Sequence, residues 1–109
     1  MSGTVLIDTG ASHSVVNEKV VSAFGLVPTS ATEVTTPGHA TPEIALLYRL
    51  TIGVETEPGH TGLDVRLLED VSVIGGLDLG SIDCLLGQDL LKGAMLFHNG
   101  LAGTFTLSF

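Results

Sequence analysis

Glycine punctuates this chain more insistently than any other feature. Fourteen glycines and four prolines are spread along 109 residues. Each one weakens a continuous element and frees a turn, so the chain is cut into many brief pieces. The pieces between them are rich in branched and apolar residues and read as strands: Thr4–Ile7, Thr32–Thr36, Ile44–Val54, Asp64–Leu68, Val71–Ile74, Ile82–Leu86, Met95–His98 and Thr104–Phe109. Pro37-Gly38-His39-Ala40 predicts a hairpin tip near Gly38, Glu55–Gly62 a loop, Gly75-Gly76 a break, and Asn99-Gly100 a second hairpin. One helix is predicted over Asn17–Phe24. Val16, Val20 and Phe24 recur at every fourth position, Asn17 can cap, and Gly25 can take the left-handed closing position. Gly87-Gln88-Asp89 opens a helical turn that runs to Lys92. With no repeat and no linker, residues 1–109 read as one domain, all-β (mainly β), with a small barrel or sandwich as the expected architecture.

Composition narrows the partners. The chain is 44% hydrophobic and only 15% charged, which excludes a disordered tail and implies that a partner covers some apolar surface. Twelve acidic residues face four scattered basic ones, Lys19, Arg49, Arg66 and Lys92, for a net charge of −8. Phosphate binding needs clustered bases, so neither nucleic acid nor an anionic membrane surface is expected. The single cysteine, Cys84, excludes an internal disulfide and a cysteine-built metal site, and its place in an apolar run predicts a buried small hydrophobe. His13, His39, His60 and His98 are not spaced as metal ligands. No apolar run reaches the ~18 residues of a membrane span. Val5-Leu6-Ile7 ends too soon at Asp8 to be a signal peptide, so a cytoplasmic protein is expected.

Two segments carry chemistry. In Val5-Leu6-Ile7-Asp8-Thr9-Gly10-Ala11-Ser12 an ionisable group directly follows an apolar strand. Gly10 lets the turn bring its amide close to the carboxylate, and Thr9 can fix the turn sideways. By itself Asp-Thr-Gly is only a turn. Far downstream, Leu85-Leu86-Gly87-Gln88-Asp89-Leu90-Leu91 is a strand ending in glycine and then a helical start.

Together these segments resemble the retropepsin-like aspartic proteases, the single-domain retroviral and bacterial type (clan AA). In that family two hydrophobic residues precede Asp-Thr-Gly-Ala/Ser. A glycine-tipped flap hairpin follows, then a hydrophobic-hydrophobic-Gly-x-Asp/Asn-hydrophobic-Leu segment and a terminal strand. This chain has all four in order: Leu6 to Ala11, the Pro37-Gly38 hairpin, Leu85 to Leu91, and Gly103 to Phe109. The resemblance implies a small closed retropepsin-like barrel with one or two short helices. It implies an aspartic endopeptidase whose catalytic Asp8 pairs with the same residue of a second copy, because no other aspartate here is followed by Thr-Gly or Ser-Gly. Thr9, Gly10 and Ala11 would support the active site. Pro37, Gly38 and His39 would be the flap tip over a peptide or protein substrate. No cofactor and no metal are implied; water is the nucleophile.

The chain departs from the family pattern in three places. Ala11 stands where pepsin-like enzymes have a hydroxyl, which predicts a mildly acidic optimum. Ser12 and Gln88 stand where retroviral relatives carry an Asp–Arg ion pair, which predicts a neutral hydrogen bond between them. Only seven residues precede Asp8, fewer than the family's usual amino-terminal arm, so Thr104–Phe109 would carry more of the dimer contact. Two other readings stay open: a catalytically inactive retropepsin-like dimerisation or peptide-binding module, and an unrelated small acidic β-domain. Asp83, interrupting a strand, is expected to face solvent, and Asp89 to support structure.

Overall fold

A computed structural model describes residues 2–35, 41–55 and 65–108. Among these described residues eight strands and two helices follow one another as β1 (Val5–Ile7), β2 (Val15–Asn17), α1 (Glu18–Phe24), β3 (Ser30–Val34), β4 (Glu43–Glu55), β5 (Val65–Leu77), β6 (Cys84–Leu86), α2 (Gln88–Leu91), β7 (Met95–Asn99) and β8 (Thr104–Ser108). The chain is therefore mainly β. Six strands form one sheet in the order β1-β6-β2-β5-β4-β3, and β7 and β8 form a separate ribbon. Among the described residues the pairing does not close into the expected barrel: β1 and β3 are the two edges of an open sheet.

β6 lies between β1 and β2, parallel to the first and antiparallel to the second. The segment from Asp8 to Ser14 therefore has to arch over the end of β6 to join its two neighbours. β2 itself was not visible as a strand in the sequence, where Val16 reads as the approach to the helix.

Helix α1 is set by local chemistry. Asn17 adopts an extended backbone and its Oδ1 accepts from the Lys19 amide at 3.1 Å. Its Nδ2 donates to the carbonyls of Ile82 (2.8 Å) and Gly80 (3.2 Å), so this buried side chain is fully used. Gly25 closes the helix at φ 58, as its position predicts.

The hairpins are largely as the sequence predicts. β3 pairs with β4 from Ser30↔Leu47 to Val34↔Glu43, and β7 pairs with β8 from Met95↔Ser108 to Asn99↔Thr104. The tip residues Pro37, Gly38 and His39 lie outside the described residues, as does most of the loop expected over Glu55–Gly62. The two strands expected over Asp64–Ile74 are one, β5. Between them sits a bulge: Leu50 pairs with Val71 and Ile52 with Leu68, leaving Glu69 and Asp70 opposite Thr51 alone. Asp70 takes φ 52 there and forms an ion pair with Arg49. Nor does Gly75-Gly76 break the strand. The Tyr48 ring lies across Gly75, where a Cβ would sit 2.4 Å from Cε2, so glycine makes room for a buried aromatic.

The core falls into two clusters. Val16, Val21, Tyr48 and Val73 pack beneath α1. Cys84, Leu86 and Leu91 pack at the β6–α2 end, with Ile7, Leu90 and Leu107 against them. Through Leu107 the β7–β8 ribbon reaches the second cluster.

Candidate active site

The arch from Asp8 to Ser14 is fastened along its length to the residues that end β6 and begin α2. At its start the Asp8 amide donates to the Leu86 carbonyl at 3.0 Å, and the Ala11 amide closes a turn onto the Asp8 carbonyl at 3.2 Å. Midway, the Gln88 amide donates to the Ala11 carbonyl at 2.8 Å, and Gln88 Nε2 donates to the Thr9 carbonyl at 2.9 Å. At its end the Gly87 amide donates to Ser14 Oγ at 2.9 Å. The arch crosses Gly87 so closely that a Cβ there would lie 2.7 Å from the His13 carbonyl oxygen and 2.8 Å from that of Ala11. Gly87, the glycine of the downstream segment, is thus the point where the arch and that segment touch.

Asp8 is half-buried, and its Oδ1 accepts from the Gly10 amide at 2.9 Å. Its other oxygen accepts no hydrogen bond among the described residues and is open to a water or a second acid. Thr9 and Gly10 are exposed and Ala11 is half-buried. Asp8 to Ala11 therefore form one turn at the end of a strand, while the flap residues Pro37, Gly38 and His39 fall outside the described residues.

Two expectations need correction. Gln88 does not bond to Ser12; its side chain reaches the Thr9 carbonyl instead, because the arch presents that carbonyl directly to the start of α2. Asp83 does not simply face solvent. Its Oδ2 accepts from the Thr4 amide at 2.8 Å and its Oδ1 meets Lys19 Nζ at 2.9 Å. The Thr4 amide first, and Lys19 second, hold its carboxyl below the usual carboxylate range. Cys84 is buried as expected, and burial, aided by the charges of Asp89 and Asp83, pushes its thiol up to about 11. That makes it a poor nucleophile.

Sequence reasoning missed Ser14. It has no exposed surface. Its hydroxyl donates to Asp89 Oδ1 at 2.6 Å and its amide to Asp89 Oδ2 at 2.9 Å. The signal was the Asp89 carboxylate in a glycine-ended segment, but nothing local distinguishes Ser14 from Ser12 as its partner.

The edge strand β1 and one face of the ribbon flank an apolar groove of about 280 Å³ lined by Val5, Leu6, Ile7, Leu96, His98 and Phe105. On the opposite face of the ribbon Met95 and Phe97 are 62% and 58% exposed, a degree that leaves their rings and chains uncovered by this chain. No group of three or more metal-binding side chains occurs among the described residues. Among the described residues no helix is long and apolar enough to cross a membrane. No protein-family model matches the chain, and neither does any curated protein or solved structure compared with it.

Proposed function

We propose that the chain is a retropepsin-like aspartic endopeptidase that works as a homodimer, with Asp8 of each copy forming the catalytic pair. The observation that carries this reading is the Asp8 turn. A half-buried carboxylate at a strand end accepts the Gly10 amide on one oxygen, keeps the other open, and rides on an arch fastened to Leu86-Gly87-Gln88. One carboxylate cannot both take and give a proton in the same step. Two held together share a single proton, because both cannot ionise at close range. The ionised member accepts a proton from water as the water oxygen attacks the peptide carbonyl. The protonated member donates to the carbonyl oxygen, giving a tetrahedral diol; the carboxyl that took water's proton then passes it to the amide nitrogen, the C–N bond breaks to free the amine, and the other carboxylate recovers its proton from a diol hydroxyl. The titration belongs to the pair.

In this reading the second copy also covers apolar surface. The exposed Met95 and Phe97 of the ribbon support that role, since a two-stranded ribbon with apolar residues on both faces is marginal alone. The β1–ribbon groove supports a barrel-like closure of the fold, with β7 and β8 folding against β1. Substrate would lie extended beside the site, by strand addition, under the β3–β4 hairpin.

The test is cleavage of a mixed peptide library by the protein and by Asp8→Asn, with the association state of both measured by sedimentation. Cleavage by a dimer that Asp8→Asn abolishes, without dissolving the dimer, is the expected result. Cleavage that survives the substitution removes the assignment. Dimers that cut nothing favour a binding module of the same fold.

A further inference from the structure

The catalytic reading uses Asp8 but leaves unexplained a second carboxylate, Asp89, whose two oxygens both meet one buried serine, Oδ1 accepting from the Leu90 amide as well. Ser14 has four polar groups, and each is committed. Its amide and its hydroxyl both donate to the Asp89 carboxylate, its Oγ accepts the Gly87 amide, and its carbonyl accepts the Ile74 amide at 3.0 Å. A residue so fully bonded and wholly buried cannot rotate without losing several hydrogen bonds at once. Ser14 is the last residue of the arch, and Asp8 is the first.

We infer that Asp89 is a positioning residue for Asp8, acting through Ser14 and the Gly87 amide to fix the arch that presents the Asp8 carboxylate. Its bearing on peptide hydrolysis rests on the reading above. Both oxygens of Asp89 are needed, because two donors from one residue converge on them. An amide in its place has a single acceptor, so one Ser14 donor must lose its partner. The arch then loosens at its far end, and what it holds at the near end is the Gly10 amide on Asp8 Oδ1. Weakening that bond lets the Asp8 carboxylate turn out of the orientation that hydrolysis needs.

Asp89→Asn in the full chain tests this, with the Gly10 amide followed by hydrogen exchange and peptide cleavage resolved into kcat and KM. The expected result is Gly10 exchange faster by about tenfold or more. A kcat lower by about tenfold or more at a KM changed no more than about twofold accompanies it. Asp83→Asn is the control: it removes an equally structural carboxylate, just before β6, whose side chain touches no part of the arch, and it should leave Gly10 exchange where it was. If Asp89→Asn does not fold, Ser14→Ala, which keeps the Ser14 amide hydrogen bond to Asp89, is read in the same way. Gly10 exchange identical to wild type overturns the inference, even if kcat falls, since loss of folded protein does that too. A wild-type protein that cleaves nothing would instead sink the protease reading, and Gly10 exchange would still decide the role of Asp89.

Discussion

Gly87→Ala is the single methyl that bears hardest on this structure. Gly87 has φ −101 and ψ −171, an extended conformation open to any residue, so the substitution carries no backbone strain of its own. Its cost is contact. The new Cβ would stand 2.7 Å from the His13 carbonyl oxygen, 2.8 Å from that of Ala11 and 2.8 Å from the His13 carbonyl carbon, all backbone atoms that cannot swing aside. Relief requires lifting the arch, which stretches the Gly87–Ser14 and Gln88–Ala11 hydrogen bonds, now 2.9 and 2.8 Å. Two weakened hydrogen bonds cost about 1–3 kcal/mol together, and overpacking of a tight site about 1–3 kcal/mol more. The sum is about 2–6 kcal/mol, a large share of the ~5–15 kcal/mol that holds a typical domain together. Urea unfolding at one fixed protein concentration measures it, because association would otherwise move the midpoint. With a slope of about 1–3 kcal/mol per molar, the midpoint should fall by about 1 M or more at unchanged slope. A variant within about 0.5 kcal/mol of wild type would refute the close crossing of arch and glycine.

Two further outcomes follow from the titrating groups. Because the Thr4 amide and Lys19 lower the Asp83 pKa in the folded chain, its ionised form contributes stability above the unfolded pKa. That contribution is lost as pH falls through the lowered folded value. Asp83→Asn should therefore be less stable than wild type at neutral pH, and the two should converge in acid well below about pH 4; a gap that persists there contradicts the assignment. Cys84, with its thiol pushed up to about 11 by burial, should react with a thiol reagent at pH 8 only as fast as the chain opens. Denaturant should accelerate the labelling steeply, and labelling at the rate of a free thiol without denaturant would show the core cluster at β6 to be mispacked.

How much of this was legible in the sequence depended on the range of the interaction. The α1 helix was readable because its determinants are adjacent: Asn17 caps and Gly25 closes within one short stretch. The β7–β8 hairpin was readable for the same reason. β2 was not, because three residues show no period, and its partners, β5 and β6, lie some 60 to 70 residues on. Gly75-Gly76 suggested a break because glycine weakens strands, yet here it admits the Tyr48 ring from the neighbouring strand. Asp83 was expected to face solvent and Gln88 to bond to Ser12, whereas each bonds to backbone (Thr4 and Thr9) that no side-chain pattern reveals. At the candidate site, the sequence marked out both Asp8-Thr9-Gly10 and Leu85–Leu91. What it could not show is that one arches over the other at Gly87, or that Ser14 is the rivet between them.

The central claim is that one Asp8 does nothing without another from a second copy, and mixing subunits tests it most directly. Wild-type chain and Asp8→Asn are combined in varying proportions, allowed to exchange, and assayed for peptide cleavage at constant total protein. If the site is shared across a two-fold axis, activity follows the square of the wild-type fraction, so an equal mixture retains about one quarter of the full rate. Activity proportional to the wild-type fraction, with about one half remaining in the equal mixture, would mean that each chain acts alone and would contradict the account.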